Sequence, residues 1–129
     1  MLPASQAYDF EYIRTRLADP SVLEHSVAIR VFRAPLLAIA VGGPRLGGYF
    51  LAAEPIIAMS VVNLLTGRYG FPNLRLSWSS SPHSGHAVEW GDTPPHRGDH
   101  VQYGRFYGYA EAAISAYSRP PQTRELMKP

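Results

Sequence analysis

The hydrophobic period of the chain changes sharply between two neighbouring stretches, and this constrains the fold more than any other feature. In SVAIRVFRAPLLAIAVGG, residues 26–43, Val27, Ile29 and Val31 alternate with Ala28, Arg30 and Phe32, and the run LLAIAV follows Pro35. A period of two sends successive side chains to opposite faces of a strand, so this stretch reads as two strands joined by a tight connection. Pro35 suits the turn or the first position of the second strand, where its missing N–H costs no ladder bond. In EPIIAMSVVNLLTG, residues 54–67, the spacing of Ile57, Val61, Leu64 and Leu65 is instead that of one helix face. Glu54-Pro55 favours a helix start, by charge and by preset φ, and Gly67 supplies a left-handed stop. A strand pair and an amphipathic helix must bury their apolar faces against each other, which predicts mixed α and β structure.

The remaining segments fit the same class. Phe10, Ile13 and Leu17 predict a helix within 5–18, capped by Ser5 or Asp9 and stopped by Asp19-Pro20. Ser21 and Glu24 have capping-box spacing, which predicts a further helical turn. The glycine pairs of GGPRLGG, 42–48, interrupt the pattern before a short strand at 49–51. Leu74, Leu76 and Trp78, then His86, Val88 and Trp90, alternate with smaller or polar residues and predict two strands, able to form a hairpin, around a loop at 79–85. Phe106, Ala110, Ala113, Ile114 and Tyr117 mark a final helix ended by Pro120-Pro121. The expected fold is α+β: one antiparallel sheet of about five strands, with helices at the N-terminus, middle and C-terminus packed mainly on one face. A single domain over 1–120 and a frayed tail over 121–129 are expected.

Composition narrows the chemistry. With 129 residues, 46% hydrophobic and 17% charged, the chain is globular rather than disordered. It has no cysteine, which removes disulfides, thiolate zinc sites and thiol nucleophiles. The net charge is +2 and the arginines form no run, so nucleic acid is not an expected partner. The apolar stretches at 35–41 and 55–62 are far shorter than the ~20 residues of a membrane span. MLPASQAYDFEYIRT lacks the basic start and apolar run of a signal peptide, so a cytoplasmic location without membrane association is expected.

Chemically, the segment HSGHAVEWGDTPPHRGDH, 83–100, stands out, with four of the five histidines. No cofactor or metal is expected. Were a metal bound, His83, His96, Asp99 and His100 would be its ligands, with Asp92 as another available carboxylate, but Pro94, Pro95 and Gly98 oppose the helix that would align 96 with 100. His86 shares a strand face with Val88 and Trp90 and is the candidate general acid or base. GGPRLGG is not a phosphate loop, because a strand rather than a helix follows it, although Arg45 could steady an anion on the backbone amides. Neither G-x-S-x-G nor S-x-x-K occurs. VQYGRFYGY crowds Tyr103, Phe106, Tyr107 and Tyr109 around Arg105, a composition suited to an apolar pocket or a contact surface.

YDFEYIRTRLADP, SVAIRVFRAPLLAIAVGG, the GGYF strand, FPNLRLSW, and HAVEWG followed by YGYAEAAISAY together give a pattern that spans nearly the whole chain. In it the chain resembles the small actinobacterial proteins, streptomycete above all, that are collected as a domain of unknown function. The resemblance implies a cytoplasmic bacterial protein and carries no activity, cofactor or catalytic residue. Two functions are therefore expected from the residues alone. The first is a small binding or regulatory module, a homodimer, that holds a protein partner or a small apolar ligand through Trp78, Trp90, Tyr103, Arg105 and Tyr107. The second is a cofactor-free isomerase or cyclase, of the kind used in secondary metabolism, with an aromatic pocket and His86 as its proton-transfer group. A contiguous exposed patch with no enclosed cavity favours the first, and a concave pocket of several hundred cubic ångström containing a histidine in contact with a carboxylate favours the second.

Overall fold

The computed structural model describes residues 1–30, 34–78, 86–95 and 99–117. Strands β1 (Leu2–Pro3), β2 (Val27–Arg30) and β3 (Pro35–Ala38) form one antiparallel sheet in the order β1-β2-β3. Strands β4 (Gly47–Ala52), β5 (Arg75–Trp78) and β6 (His86–Gly91) form a second, in the order β4-β6-β5. The helices are α1 (Phe10–Arg14), α2 (Pro55–Leu65), α3 (His100–Phe106) and α4 (Glu111–Tyr117), with 3₁₀ turns at Ala4–Gln6 and Pro20–His25.

The α+β class is as expected, but one sheet of about five strands is replaced by two sheets of three. The turn after β3 explains the difference. Gly42 and Arg45 exchange backbone hydrogen bonds of 3.0 and 2.9 Å, and Gly43 adopts φ +52°. This tight reversal turns the chain away from the edge of β3, so β4 pairs with β6 instead. Strand β1, which the sequence pattern did not mark, completes the first sheet by pairing with β2.

The first sheet is covered on both faces. Val27, Ile29, Ala38 and Ala40 join Phe50, Ala52, Val88 and Trp90 of the second sheet and Ala58, Val61 and Leu65 of α2 in one core. Ala28, Leu37 and Ile39 face the other way, against Ala4, Ala7, Leu17, Val22 and Leu23. Trp90 is 0% exposed and its Nε1 donates to the Ile39 carbonyl at 2.9 Å, a direct tie between the two layers. On α2 the buried stripe is Ala58, Val61 and Leu65 rather than one that includes Leu64, which is 39% exposed. Leu64 is rotated about 100° from Leu65 around the helix axis, and the stripe centred on Val61 leaves it at the margin. Full burial of Val61 and Leu65 stabilises the fold by about 1.5–3 kcal/mol each.

The terminal helices differ from expectation for tertiary reasons. The helix expected within 5–18 shrinks to α1, because Tyr8 N–H donates to the Pro35 carbonyl and the Asp9 carboxylate accepts from Leu37 N–H at 3.0 Å instead of capping. Asp19, not Ser21, caps the next turn by accepting from Ser21 N–H at 3.1 Å. The final helix is split into α3 and α4 at Gly108, whose φ is +75°. A Cβ there would lie 2.6 Å from Arg45 Cβ, so close approach of two chain segments requires glycine and ends α3. The connection at 31–33, the loop at 79–85 and the tail from 118 lie outside the described residues.

Candidate functional site

The alternation of β4 and β6 gives the second sheet two different faces. Phe50, Ala52, Val88 and Trp90 face α2, while Tyr49, Leu51, Ala87 and Glu89 line the opposite side. Helices α3 and α4 cover part of that side, so helices lie on both faces of this sheet and not mainly on one, as expected from sequence. Between them runs a cleft of about 840 Å³. Its floor is Tyr49, Leu51, Ala87 and Glu89; its roof is His100, Tyr103, Gly104, Tyr107, Tyr109, Ala113, Ile114 and Ala116; and Tyr12, Ile13 and Arg16 close one end.

Local sequence builds the roof. Asp99 accepts from Gln102 N–H at 2.9 Å while Gln102 Oε1 accepts from Asp99 N–H at 2.9 Å, a reciprocal cap that starts α3 at His100. Gly104 lets α3 meet α4 closely, since a Cβ there would lie 2.7 Å from Ile114 Cγ1. Tyr103 Oη donates to the Pro95 carbonyl at 2.7 Å, which fixes its ring on the cleft wall. Tyr107 meets Tyr49 edge-on at 5.3 Å and Phe106 at 5.0 Å between ring centroids.

Electrostatics at the cleft are uneven. Glu89 pairs with its cross-strand neighbour Arg75 at 3.4 Å, and Arg75 also donates to the carbonyls of Gly91 and Asp92 at 2.9 and 3.0 Å. Burial pushes the Tyr107 hydroxyl up to about 12, with Tyr49 and Glu89 adding to the shift and Arg45 opposing it. Burial likewise raises Tyr109, again against the pull of Arg45. Arg45 lies behind these tyrosines, 4% exposed. Its Nη1 donates to the Tyr107 carbonyl at 2.7 Å, and its guanidinium carbon is 5.7 Å from the Tyr107 ring centroid. Burial lowers its pKa to about 10, partly offset by the surrounding tyrosines, and it stays cationic at neutral pH. At the cleft end, the Arg16 guanidinium carbon is 3.5 Å from the Tyr12 ring centroid, and Nη1 donates to the Tyr12 carbonyl at 2.6 Å.

One protein-family model matches residues 1–129, the full length of the chain. The chain belongs to DUF6302, a family of unknown function. No curated protein and no solved structure matches this DUF6302 chain. Among its described residues, no helix is long and apolar enough to cross a membrane.

The site residues expected from sequence are distributed unevenly in this DUF6302 chain. Tyr103 and Tyr107 line the cleft, as does His100. His86 pairs with Ala52 on the sheet side that faces α2, so it lies across the sheet from the cleft. Trp90 is a core residue on that same side, and Trp78 closes β5 opposite His86. Arg105 points outward and pairs with Glu111 at 3.0 Å. Asp99 is occupied as a helix cap, and His83 and His96 lie outside the described residues. Among the described residues, no three histidines or carboxylates converge as a metal site. Sequence reasoning missed Tyr12, Tyr49 and the burial of Arg45. The signal for Tyr49 was present, since a large aromatic alternating with Phe50 on a strand must face a different layer.

Proposed function

We propose that this DUF6302 chain is a small binding module whose cleft takes a flat, apolar small molecule. The observation that carries this reading is the cleft itself. Its volume falls within the usual few hundred to one thousand Å³ of ligand sites, and its walls combine aromatic and aliphatic surface with tyrosine hydroxyls and the polar side chains of Arg16, Glu89 and His100. The tyrosines offer wide faces at low entropic cost, together with hydroxyls that orient an occupant. The concavity favours a small ligand over a protein partner, and Tyr103 and Tyr107, rather than Arg105, supply the contact.

N-phenyl-1-naphthylamine, a neutral dye that brightens in apolar surroundings, tests the reading. We expect a Kd on the order of 10 µM for a ligand of this size. Ala113→Trp, which fills the cleft, should weaken binding at least about tenfold. Met59→Gln, on the outer face of α2, should leave it unchanged. Equal binding by the parent and Ala113→Trp overturns the reading.

Catalysis without a cofactor is the second reading, and it draws on one observation. His100 stands on the cleft wall with Tyr103 and Tyr107, so the side chain best suited to proton transfer near neutrality lines the space an occupant would fill. Deuterium exchange at the α-carbon of a cleft-bound ketone, lost in His100→Gln, is its test.

A further inference from the structure

We propose that the cleft selects apolar molecules bearing one anionic oxygen group, whose charge is met at the Tyr109 end by Arg16 and, through the Tyr109 hydroxyl, by Arg45. This rests on the reading of the cleft as a ligand site and adds the chemistry of its ligand.

The first support is a charge imbalance. Among the described residues Arg14 pairs with Glu11, Arg75 with Glu89 and Arg105 with Glu111. No described carboxylate lies within ion-pair distance of Arg16 or Arg45. Glu89, the one described carboxylate lining the cleft, is already engaged by Arg75. Among the described residues, one end of the cleft therefore carries unbalanced positive charge.

The second support is the burial of Arg45. A buried cation is costly unless an opposite charge or a full set of acceptors meets it, and Arg45 has neither. Its Nη1 uses part of its donor fork, but Nε is buried with no hydrogen-bond partner. Its position is held from several sides. A Cβ at Gly48 would lie 2.8 Å from Nη2, and one at Gly108 would lie 2.6 Å from the Arg45 Cβ. Two glycines thus make room for a charge whose stabilising counter-charge is absent from the described protein.

The third support is the geometry of transmission. Arg45 does not itself line the cleft, whereas Tyr109 does. Arg45 sits against the segment that carries Tyr109, since it donates to the Tyr107 carbonyl and Gly108 packs on its Cβ, and a nearby cation polarises a protonated tyrosine O–H and strengthens its donation. Burial keeps the Tyr109 hydroxyl protonated at neutral pH. Arg16 belongs to the same end: Ala110 N–H donates to its carbonyl at 2.7 Å, and Leu17 bridges Tyr109. Arg16 and Tyr109 would be the contacts, with Arg45 the positioning residue behind them.

The neutral dye and its sulfonate, 8-anilinonaphthalene-1-sulfonate, share one aromatic skeleton and differ by the anion. The full chain should bind the sulfonate about tenfold more tightly than the neutral dye at low salt. Arg16→Gln, Tyr109→Phe and Arg45→Met should each cut the ratio of sulfonate to neutral-dye affinity several-fold, whatever they do to the neutral dye itself. Arg45→Lys, which keeps the charge, should recover most of the preference, which a purely structural arginine would not do. If Arg45→Met does not fold, as read by circular dichroism, Arg16→Gln and Tyr109→Phe decide. Equal affinity of the full chain for both dyes, or an unchanged ratio in every variant, overturns the anion preference while the cleft reading stands on the neutral dye. Binding of neither dye overturns both.

Discussion

Replacing Trp90 by phenylalanine separates the core of this fold from its cleft, because the indole is wholly buried on the sheet face opposite the cleft. Two losses follow from the structure. The Ile39 carbonyl, which accepts from Nε1 at 2.9 Å, is left unsatisfied in a buried place, at a cost of about 1–3 kcal/mol. The missing part of the ring leaves a void of roughly 40 Å³, worth about 1 kcal/mol at about 24 cal/mol per Å³. The edge contact with Phe71, at 5.1 Å between centroids, is kept in weakened form. A total of about 2–4 kcal/mol should move the urea midpoint down by about 1–2 M, followed by far-ultraviolet circular dichroism. Affinity of the folded variant for the neutral dye should not change. A loss below about 1 kcal/mol would refute the role of Trp90 as the tie between layers. Unchanged stability with lost dye binding would instead make it a ligand contact.

Four further outcomes are expected. Gly108→Ala places a Cβ on a φ of +75° and 2.6 Å from Arg45 Cβ, so chemical denaturation should report a loss of about 2–4 kcal/mol. In a spectrophotometric titration, Tyr107 should ionise well above the ordinary tyrosine, at about 12, and Tyr107→Phe should remove that late component. Because the folded value exceeds the unfolded one, this tyrosine's contribution to stability is intact below about pH 10 and is lost as pH rises towards 12. Asp99→Ala removes the reciprocal cap of α3, and should cost about 1 kcal/mol in thermal unfolding and weaken dye binding through His100 and Tyr103. Arg105→Ala breaks an exposed pair outside the cleft, so neither stability nor dye affinity should change measurably.

What was legible in the sequence was local. The period-two runs at β2, β3, β5 and β6 and the apolar stripe of α2 follow from side-chain spacing alone, and the structure places these elements where that spacing puts them. The split into two sheets was not legible, because it depends on a glycine turn whose effect is to choose β6 rather than β3 as the neighbour of β4. The break at Gly108 was hidden for a similar reason: it answers to Arg45, a residue far away in the chain. At the site, alternation correctly grouped His86 with Val88 and Trp90, but it carries no information about which face another element will leave open. The start of α3 was masked by Pro94, Pro95 and Gly98, although the Asp99 to Gln102 spacing held the cap. Arg45 looked like a turn residue because its burial is set by a segment far along the chain, where the Tyr107 carbonyl accepts from it and Gly108 packs on its Cβ.

The roof of the cleft consists of two helices of seven residues each, hinged at a glycine, over a floor of paired strands. Helices of two turns do not persist alone in water, so the roof owes its order to contacts with the floor and with each other. An occupant would add to those contacts, and ligand binding and local ordering would then be one equilibrium. Amide protons of α3 and α4 should therefore exchange faster than those of β4 and β6 in the empty protein, and slow selectively when the cleft is filled.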